Sequence, residues 1–288
     1  MIERVQGVHN IAVVLPKNYN GDMLGCSSAL VGYLLQLHKK VTLVMPNERL
    51  PYCYKDVAWV GSARLLPPAK VELILHFGVQ SLEIFNGDVS EKCFNLQQLG
   101  SKEFCNYVEP IGWLFIHNQI PINKKMADSL YLALVEATQN FTKLCGDGMS
   151  FALAQKLMEY KADHQAVSIC LQKNSTLSQL RLTAALLKQM KLRCDGRVAF
   201  FYADEKLLQK YGANKSMCSK ALQFGATLPT VLVSVLIVEG LSSISTLEYC
   251  FADLQLQENI TLPTEVDGAT QIIEEKIIQE VKKIEKKK

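Results

Sequence analysis

Few residues in this chain are placed to do chemistry, and most of them gather in one loop. The stretch LPKNYNGDMLGCSSALVGYL, residues 15–34, runs from an apolar strand through Asn, Gly and Asp into a small-residue turn that opens a helix. Strand, loop and helix start in that order often hold phosphate or metal, because main-chain N–H groups and the carboxyl ends of strands meet there. Asp22 supplies one carboxylate and Asn20 one neutral oxygen; Gly25 and Cys26 keep the turn small. The plainer alternative is that Asn20, Gly21 and Asp22 only form a turn and cap the helix. His76 ends the apolar run VELILHF, residues 71–77. An imidazole there, paired with Asp22, would make a weak metal site, although a lone histidine on an apolar strand is more often a satisfied core residue. Cys26 stands at the helix start, where a dipole could lower its thiol pKa, but no histidine base lies nearby in sequence.

The elements that must position these residues follow from hydrophobic periodicity. VHNIAVVL (8–15), KKVTLVM (39–45), AKVELILHF (69–77) and the shorter KCFNL (92–96) are strand candidates, and 22–38 carries leucines at helical spacing. Strands alternating with helices imply right-handed crossovers and a parallel sheet. Residues 16–26 and the turn after Phe77 would share its carboxyl edge. From about 111 to 191 the pattern is helical, with Ser175 or Thr176 as a cap for the last helix. CDG at 194–196 breaks the run. RVAFFYA (197–203) and the segment 230–249, folded around Glu239–Gly240, then read as strands.

The chain has 288 residues, 49% hydrophobic and 20% charged, with a formal charge of +3 that is spread rather than clustered. These values fit a globular protein with two domains and argue little about nucleic acid. No apolar run reaches the roughly 18–20 residues of a membrane span. The amino terminus lacks the pattern of a secretory signal. Nine cysteines include no C-x-x-C pair, which favours reduced thiols and a cytoplasmic location over a disulfide framework or zinc knuckle. P-loop, dinucleotide-fingerprint, H-E-x-x-H and G-x-S-x-G motifs are absent. Two tyrosines in PNERLPYCYKDVAW (46–59) could stack a base, with packing the blander account. The tail TQIIEEKIIQEVKKIEKKK reads as an amphipathic helix whose terminal lysines suit the helix dipole.

In order and spacing, three stretches resemble the DHH phosphoesterase superfamily of nanoRNases, 3′-phosphoadenosine 5′-phosphate phosphatases and RecJ-type nucleases. They are residues 18–44, 121–142 and 150–203. The resemblance implies an α/β architecture: a Rossmann-like parallel-sheet domain over 1–148, a helical linker over 149–193 and a smaller α/β domain over 194–262, with the charged helix 263–288 behind it. It also implies two divalent ions, usually manganese, about 3.5–4 Å apart and clamping the attacking and leaving oxygens of a phosphoryl group. Clustered divalent ions require several carboxylates or imidazoles.

Laid on this chain, the family's motifs lose those ligands. Pro16 stands where the first motif has His, Asn20 where it has its first Asp, and Asp22 keeps the second; Gly25 and Cys26 take the Gly-Ser positions of a phosphate-loop remnant. His76 replaces the lone Asp of the second motif. Gln97, Gln98 and Leu99 replace the Asp-His-His triplet; a rival frame through His117–Asn118–Gln119 destroys it too. Ala137 replaces the Asp of the fourth motif. Glu136 lies one residue early, a step of about 100° on a helix, and is expected to face solvent. The family's Gly-Gly-Gly-His loop has no counterpart, since no two glycines are adjacent in the chain, and the second domain reads as truncated.

The expected function is that of a catalytically degenerate homologue, a non-catalytic binding or assembly protein with no cofactor. Its partner would be another protein or a second copy, with weak nucleotide or short-RNA binding as a residual role. The alternative is a divergent manganese-dependent phosphoesterase acting on short oligoribonucleotides or phosphorylated nucleotides.

Overall fold

The computed structural model describes residues 1–45, 50–79, 84–85, 89–100, 106–143, 148–172, 175–239 and 245–251. The chain forms two compact units, Met1–Asn174 and a second beginning at Ser175. That division falls inside the segment 149–193 expected to link two domains. The expected tail helix over 263–288 lies outside the described residues.

In the first unit a short helix α1 (Ile2–Gln6) precedes β1 (Asn10–Val14), α2 (Gly21–Gln36), β2 (Lys40–Val44), β3 (Leu73–His76) and β4 (Cys93–Asn95). All neighbouring strands are parallel and their order is β2-β1-β3-β4. β1 and β3 occupy the centre, so both of their faces are covered. This is why they read as unbroken apolar runs rather than alternating ones. Ile11, Val13 and Leu75 face the main core, while Ala12, Val14 and Ile74 face a smaller one with Val44 and Phe85.

α3 (Val108–His117), α4 (Lys124–Ala137), α5 (Met149–Glu159) and α6 (His164–Gln172) complete the unit. The Oδ1 atoms of Asn20 and Asn123 cap α2 and α4, accepting the N–H of Met23 and Met126, each at 3.0 Å. α2 and α4 pack closely through small residues. Ser28 and Ser129 hydroxyls meet at 2.7 Å, and a Cβ at Gly25 would lie 2.3 Å from the Ser129 carbonyl oxygen.

The second unit opens with α7 (Leu177–Lys188), capped by Thr176 Oγ1, which accepts the N–H of Gln179 at 3.1 Å. β5 (Lys191–Arg193), β6 (Val198–Ala203), α8 (Glu205–Tyr211), α9 (Ser219–Gly225), β7 (Val233–Glu239) and β8 (Ser245–Phe251) follow. Strand order is β5-β6-β7-β8, with β6 and β7 parallel and both outer pairings antiparallel. Ala199, Phe201 and Leu236 pack against Leu182 and Leu186 of α7, Leu208 of α8 and Leu222 of α9.

The helical run therefore stops at Lys188 rather than 191. Its last residues turn into β5, an exposed edge strand without the apolar alternation that would mark it. Cys194, Asp195 and Gly196, with φ of 52°, 52° and 83°, make the left-handed corner into β6. The fold class is α/β: a Rossmann-like parallel-sheet unit followed by a smaller α/β unit.

Candidate functional site

The strands of the first sheet end on a common edge. Register places Val14 beside His76 and His76 beside Asn95, so the loops after β1, β3 and β4 converge. Asp22 reaches this edge from the first turn of α2 and is buried, with 3% of its surface exposed. Its Oδ2 accepts the N–H of Tyr107 at 2.8 Å, and the N–H of Val108 also points to the carboxylate. Tyr107 precedes α3, where Asn106 Oδ1 accepts the N–H of Glu109 at 3.0 Å and leaves the N–H groups of Tyr107 and Val108 to an acceptor from elsewhere. Asp22 therefore caps α3 from another element, and the other carboxylate oxygen faces the Cys26 thiol at 3.5 Å. Burial pushes the Asp22 carboxyl up to about 6, against the opposing pull of these donors; Glu109 adds to the rise.

His76 is buried and its Nδ1 accepts the N–H of Val79 at 3.2 Å. That bond assigns the ring proton to Nε2, so neither nitrogen of the neutral ring presents a spare lone pair to a metal. Burial holds the imidazole below its ordinary pKa, which keeps it neutral. Beside it, Asn95 Oδ1 accepts the N–H groups of Gly78 at 3.2 Å and Gln97 at 3.1 Å, and Asn95 Nδ2 donates to Gln97 Oε1 at 3.1 Å. Gly78 has φ of 63°, and a Cβ there would lie 2.7 Å from the Gln97 amide nitrogen. Gln97 is also hydrogen-bonded to the Tyr107 phenol. Tyr107 thus joins Asp22 through its main chain to the Asn95–Gln97 amides through its hydroxyl.

The positions expected from the resemblance to have lost their ligands are spread around this network. Pro16 is half-buried after β1, and Asn20 spends its side-chain oxygen on the α2 cap. Gln97, Gln98 and Leu99 lie in a 3-10 turn, with Gln98 exposed and Leu99 packed on the core. His117, Asn118 and Gln119, the rival triplet, lie at and just beyond the end of α3. Ala137 ends α4, and the residues after it, Gln139, Asn140 and Phe141, have φ of 47°, 58° and 61°. Three consecutive left-handed residues carry strain of roughly 1–2 kcal/mol each.

Two expectations need correction. Glu136 is turned inward rather than toward solvent: a Cβ on Gly21 would lie 2.4 Å from its Cγ, and the Tyr54 hydroxyl donates to its carboxylate. The missing side chain at Gly21 leaves the space that Glu136 fills, and burial raises its pKa. The same burial, with Glu136 nearby, pushes the Cys53 thiol up to about 11. Cys26 is fully buried, and burial together with Asp22 raises its thiol well above the ordinary value, the opposite of helix-dipole activation.

Sequence reasoning missed Asn95, Tyr107 and Glu109. Asn95 was discoverable as an Asn two residues before Gln97 at a strand end, the setting of an Asx turn. Glu109 is buried, takes a hydrogen bond from Ser150, and leaves Oε2 without a partner.

As a donor set this edge does not fit a pair of divalent cations. Its one motif carboxylate has both oxygens engaged, its imidazole is committed, and neutral amides fill the rest. Among the described residues, no three His, Cys, Asp or Glu side chains are placed to hold a metal ion. Neutral oxygens leave most of the charge on two such ions uncompensated.

The chain has a DHH-like α/β fold. It is similar to an exopolyphosphatase-related protein from Bacteroides fragilis, with a TM-score of 0.76, 15% identity, and 98% of this chain and 94% of that one covered. Weaker likenesses include a putative family II inorganic pyrophosphatase from Methanococcus jannaschii, with a TM-score of 0.46, 12% identity, and 91% of this chain and 97% of that one covered. A manganese complex of RecJ from Thermus thermophilus matches with a TM-score of 0.42 and 11% identity, covering 86% of this chain and 46% of that one. No protein-family model matches the chain. No curated protein matches it either.

Proposed function

We propose that this chain is a catalytically degenerate DHH-fold protein that works by binding or assembly in the cytoplasm rather than by phosphoester hydrolysis. The observation that carries this reading is the state of Asp22. Its carboxylate is buried and ties α2 to the start of α3. A metal ligand in that place would have to give up those bonds before meeting an ion. The polar lattice of Asn95, Gln97 and Tyr107 supports the same reading, because it satisfies the strand ends internally. The partner is another protein or a second copy of this chain.

Manganese titration by calorimetry, followed by assay on a dinucleotide and on 3′-phosphoadenosine 5′-phosphate, tests this. Neither tight manganese binding nor turnover is expected. Manganese-dependent turnover that disappears in Asp22→Ala would overturn the reading. Residual nucleotide binding is tested separately by thermal stabilisation with nucleotides at millimolar concentration.

One observation favours a second reading, a divergent manganese-dependent phosphoesterase acting on short oligoribonucleotides or phosphorylated nucleotides. Glu136 brings a carboxylate beside Gly21 at the start of α2. On that reading, Glu136→Gln abolishes a measurable activity; with no activity in the parent chain, the reading fails.

A further inference from the structure

We propose that the second unit binds a small phosphorylated polyol or sugar in a cavity at the carboxyl ends of β6 and β7, with Lys206 and Lys210 holding the phosphate. The cavity has a volume of about 390 Å³ and is lined by Gln189, Tyr202, Asp204, Lys206, Lys210 and Ile237, among others. That volume lies in the range of small-molecule sites. Register sets Tyr202 of β6 beside Ile237 of the parallel strand β7, so the cavity lies where open α/β sheets place their ligands.

Charge decides the class of ligand. Lys206 and Lys210 are four residues apart on α8 and share a face. Among the described residues neither makes an ion pair. The Lys191 ammonium lies 5.1 Å from the centre of the Tyr202 ring and adds a third positive charge to the surroundings. Lysines are mobile point charges that suit a tetrahedral dianion, whereas a planar carboxylate is matched by the fork of an arginine. Among the described residues no arginine lines the cavity.

The remaining polar groups select for a hydroxylated body. Asp204 accepts the N–H of Leu207 at 2.7 Å through Oδ1, which leaves its other oxygen to accept from ligand hydroxyls. The same carboxylate disfavours a bare anion. The Gln189 amide can both donate and accept. The Tyr202 hydroxyl oxygen is buried without a partner, so an acceptor admitted beside it satisfies an otherwise stranded donor. Ile237 gives the carbon skeleton an apolar floor. The lining residues all belong to the second unit.

Calorimetric titration of the full chain with ribose 5-phosphate, ribose, inorganic phosphate and citrate tests the assignment, with Lys206→Ala/Lys210→Ala and Tyr202→Phe as variants. Ribose 5-phosphate should bind more tightly than inorganic phosphate, and ribose should not bind. The double lysine variant should weaken binding at least tenfold, since charged hydrogen bonds are worth about that or more each. Tyr202→Phe should weaken it by a smaller factor. The double lysine variant should unfold at the parent's urea midpoint, and Tyr202→Phe at or above it, since that change removes a buried donor without a partner. Absence of ribose 5-phosphate binding to the parent chain, binding unchanged in the double variant, or citrate binding as tight as the phosphate ester would each overturn the proposal.

Discussion

The carboxylate of Asp22 accepts the main-chain N–H of Tyr107 at 2.8 Å, joining residues 85 apart in the sequence. The bond explains why one carboxylate persists in a loop whose neighbours are neutral. Asn106 Oδ1 takes the N–H of Glu109 at the start of α3, and Asp22 takes the N–H groups of Tyr107 and Val108 that remain; such groups are costly when buried. Asp22→Ala should therefore strand the N–H groups of Tyr107 and Val108 and lower unfolding free energy by about 2 kcal/mol. Asp22→Asn, which keeps an acceptor oxygen, should lose much less. Urea unfolding of both variants checks this; equal losses would mean that the charge, not the acceptor, is what the fold uses.

A pH dependence follows from the same residue. Burial raises the Asp22 carboxyl to about 6, so the folded chain holds that proton more tightly than the unfolded one. An unfolded Asp titrates near about 3.9. The resulting stabilisation is complete below about pH 4 and is lost as pH rises through about 6. Glu136, also raised by burial, acts in the same sense. His76, lowered by burial, acts in the opposite one: its contribution is present above about pH 6.5 and lost on acidification. Comparison with Asp22→Asn cancels both. The wild-type advantage over that variant should be about 1 kcal/mol greater at pH 5 than at pH 7.5. A constant gap across that range would show that Asp22 titrates normally.

Much of the framework could be read from the sequence because buried parallel strands and striped helices leave strong periodic signals. VHNIAVVL and VELILHF gave β1 and β3, and the Asn20 turn gave the α2 cap. β5 left no such signal, since its three residues are exposed at a sheet edge. Glu136 was misplaced for a different reason. Rotation along a helix tells which way a side chain leaves its axis, but not what stands opposite; here the neighbour is a glycine, and the gap admits the side chain. The bond from Asp22 to Tyr107 joins segments that no local pattern connects.

Gly25 is expected from the resemblance to be a phosphate-loop glycine, and its surroundings give it a packing role. A Cβ there would lie 2.3 Å from the Ser129 carbonyl oxygen and 2.9 Å from the Ala133 Cβ, both rigid parts of α4. Gly25→Ala should force α2 and α4 apart at a cost of about 3 kcal/mol. Gly21→Ala should cost less, because the atoms it meets belong to the Glu136 side chain, which can swing away. Gly7→Ala, with nothing within 4 Å of the added carbon, serves as a near-neutral control. Thermal unfolding of the three variants should rank them in that order. A Gly25→Ala protein as stable as the Gly7 control would remove the packing explanation.

Cys26 offers the last test, because two physical effects compete at its thiol. The α2 dipole favours thiolate only weakly at Cys26, which lies beyond the first turn, whereas full burial and the facing Asp22 carboxylate raise its pKa. Thiolate is the reactive form. In the native protein Cys26 should resist iodoacetamide, while Cys194, only partly buried, reacts. In urea both should react at similar rates. Mass spectrometry of peptides after a timed native pulse distinguishes the cases. Native labelling of Cys26 as fast as Cys194 would place the thiol in an open, activated site, and the view of this helix start as closed packing would have to be given up.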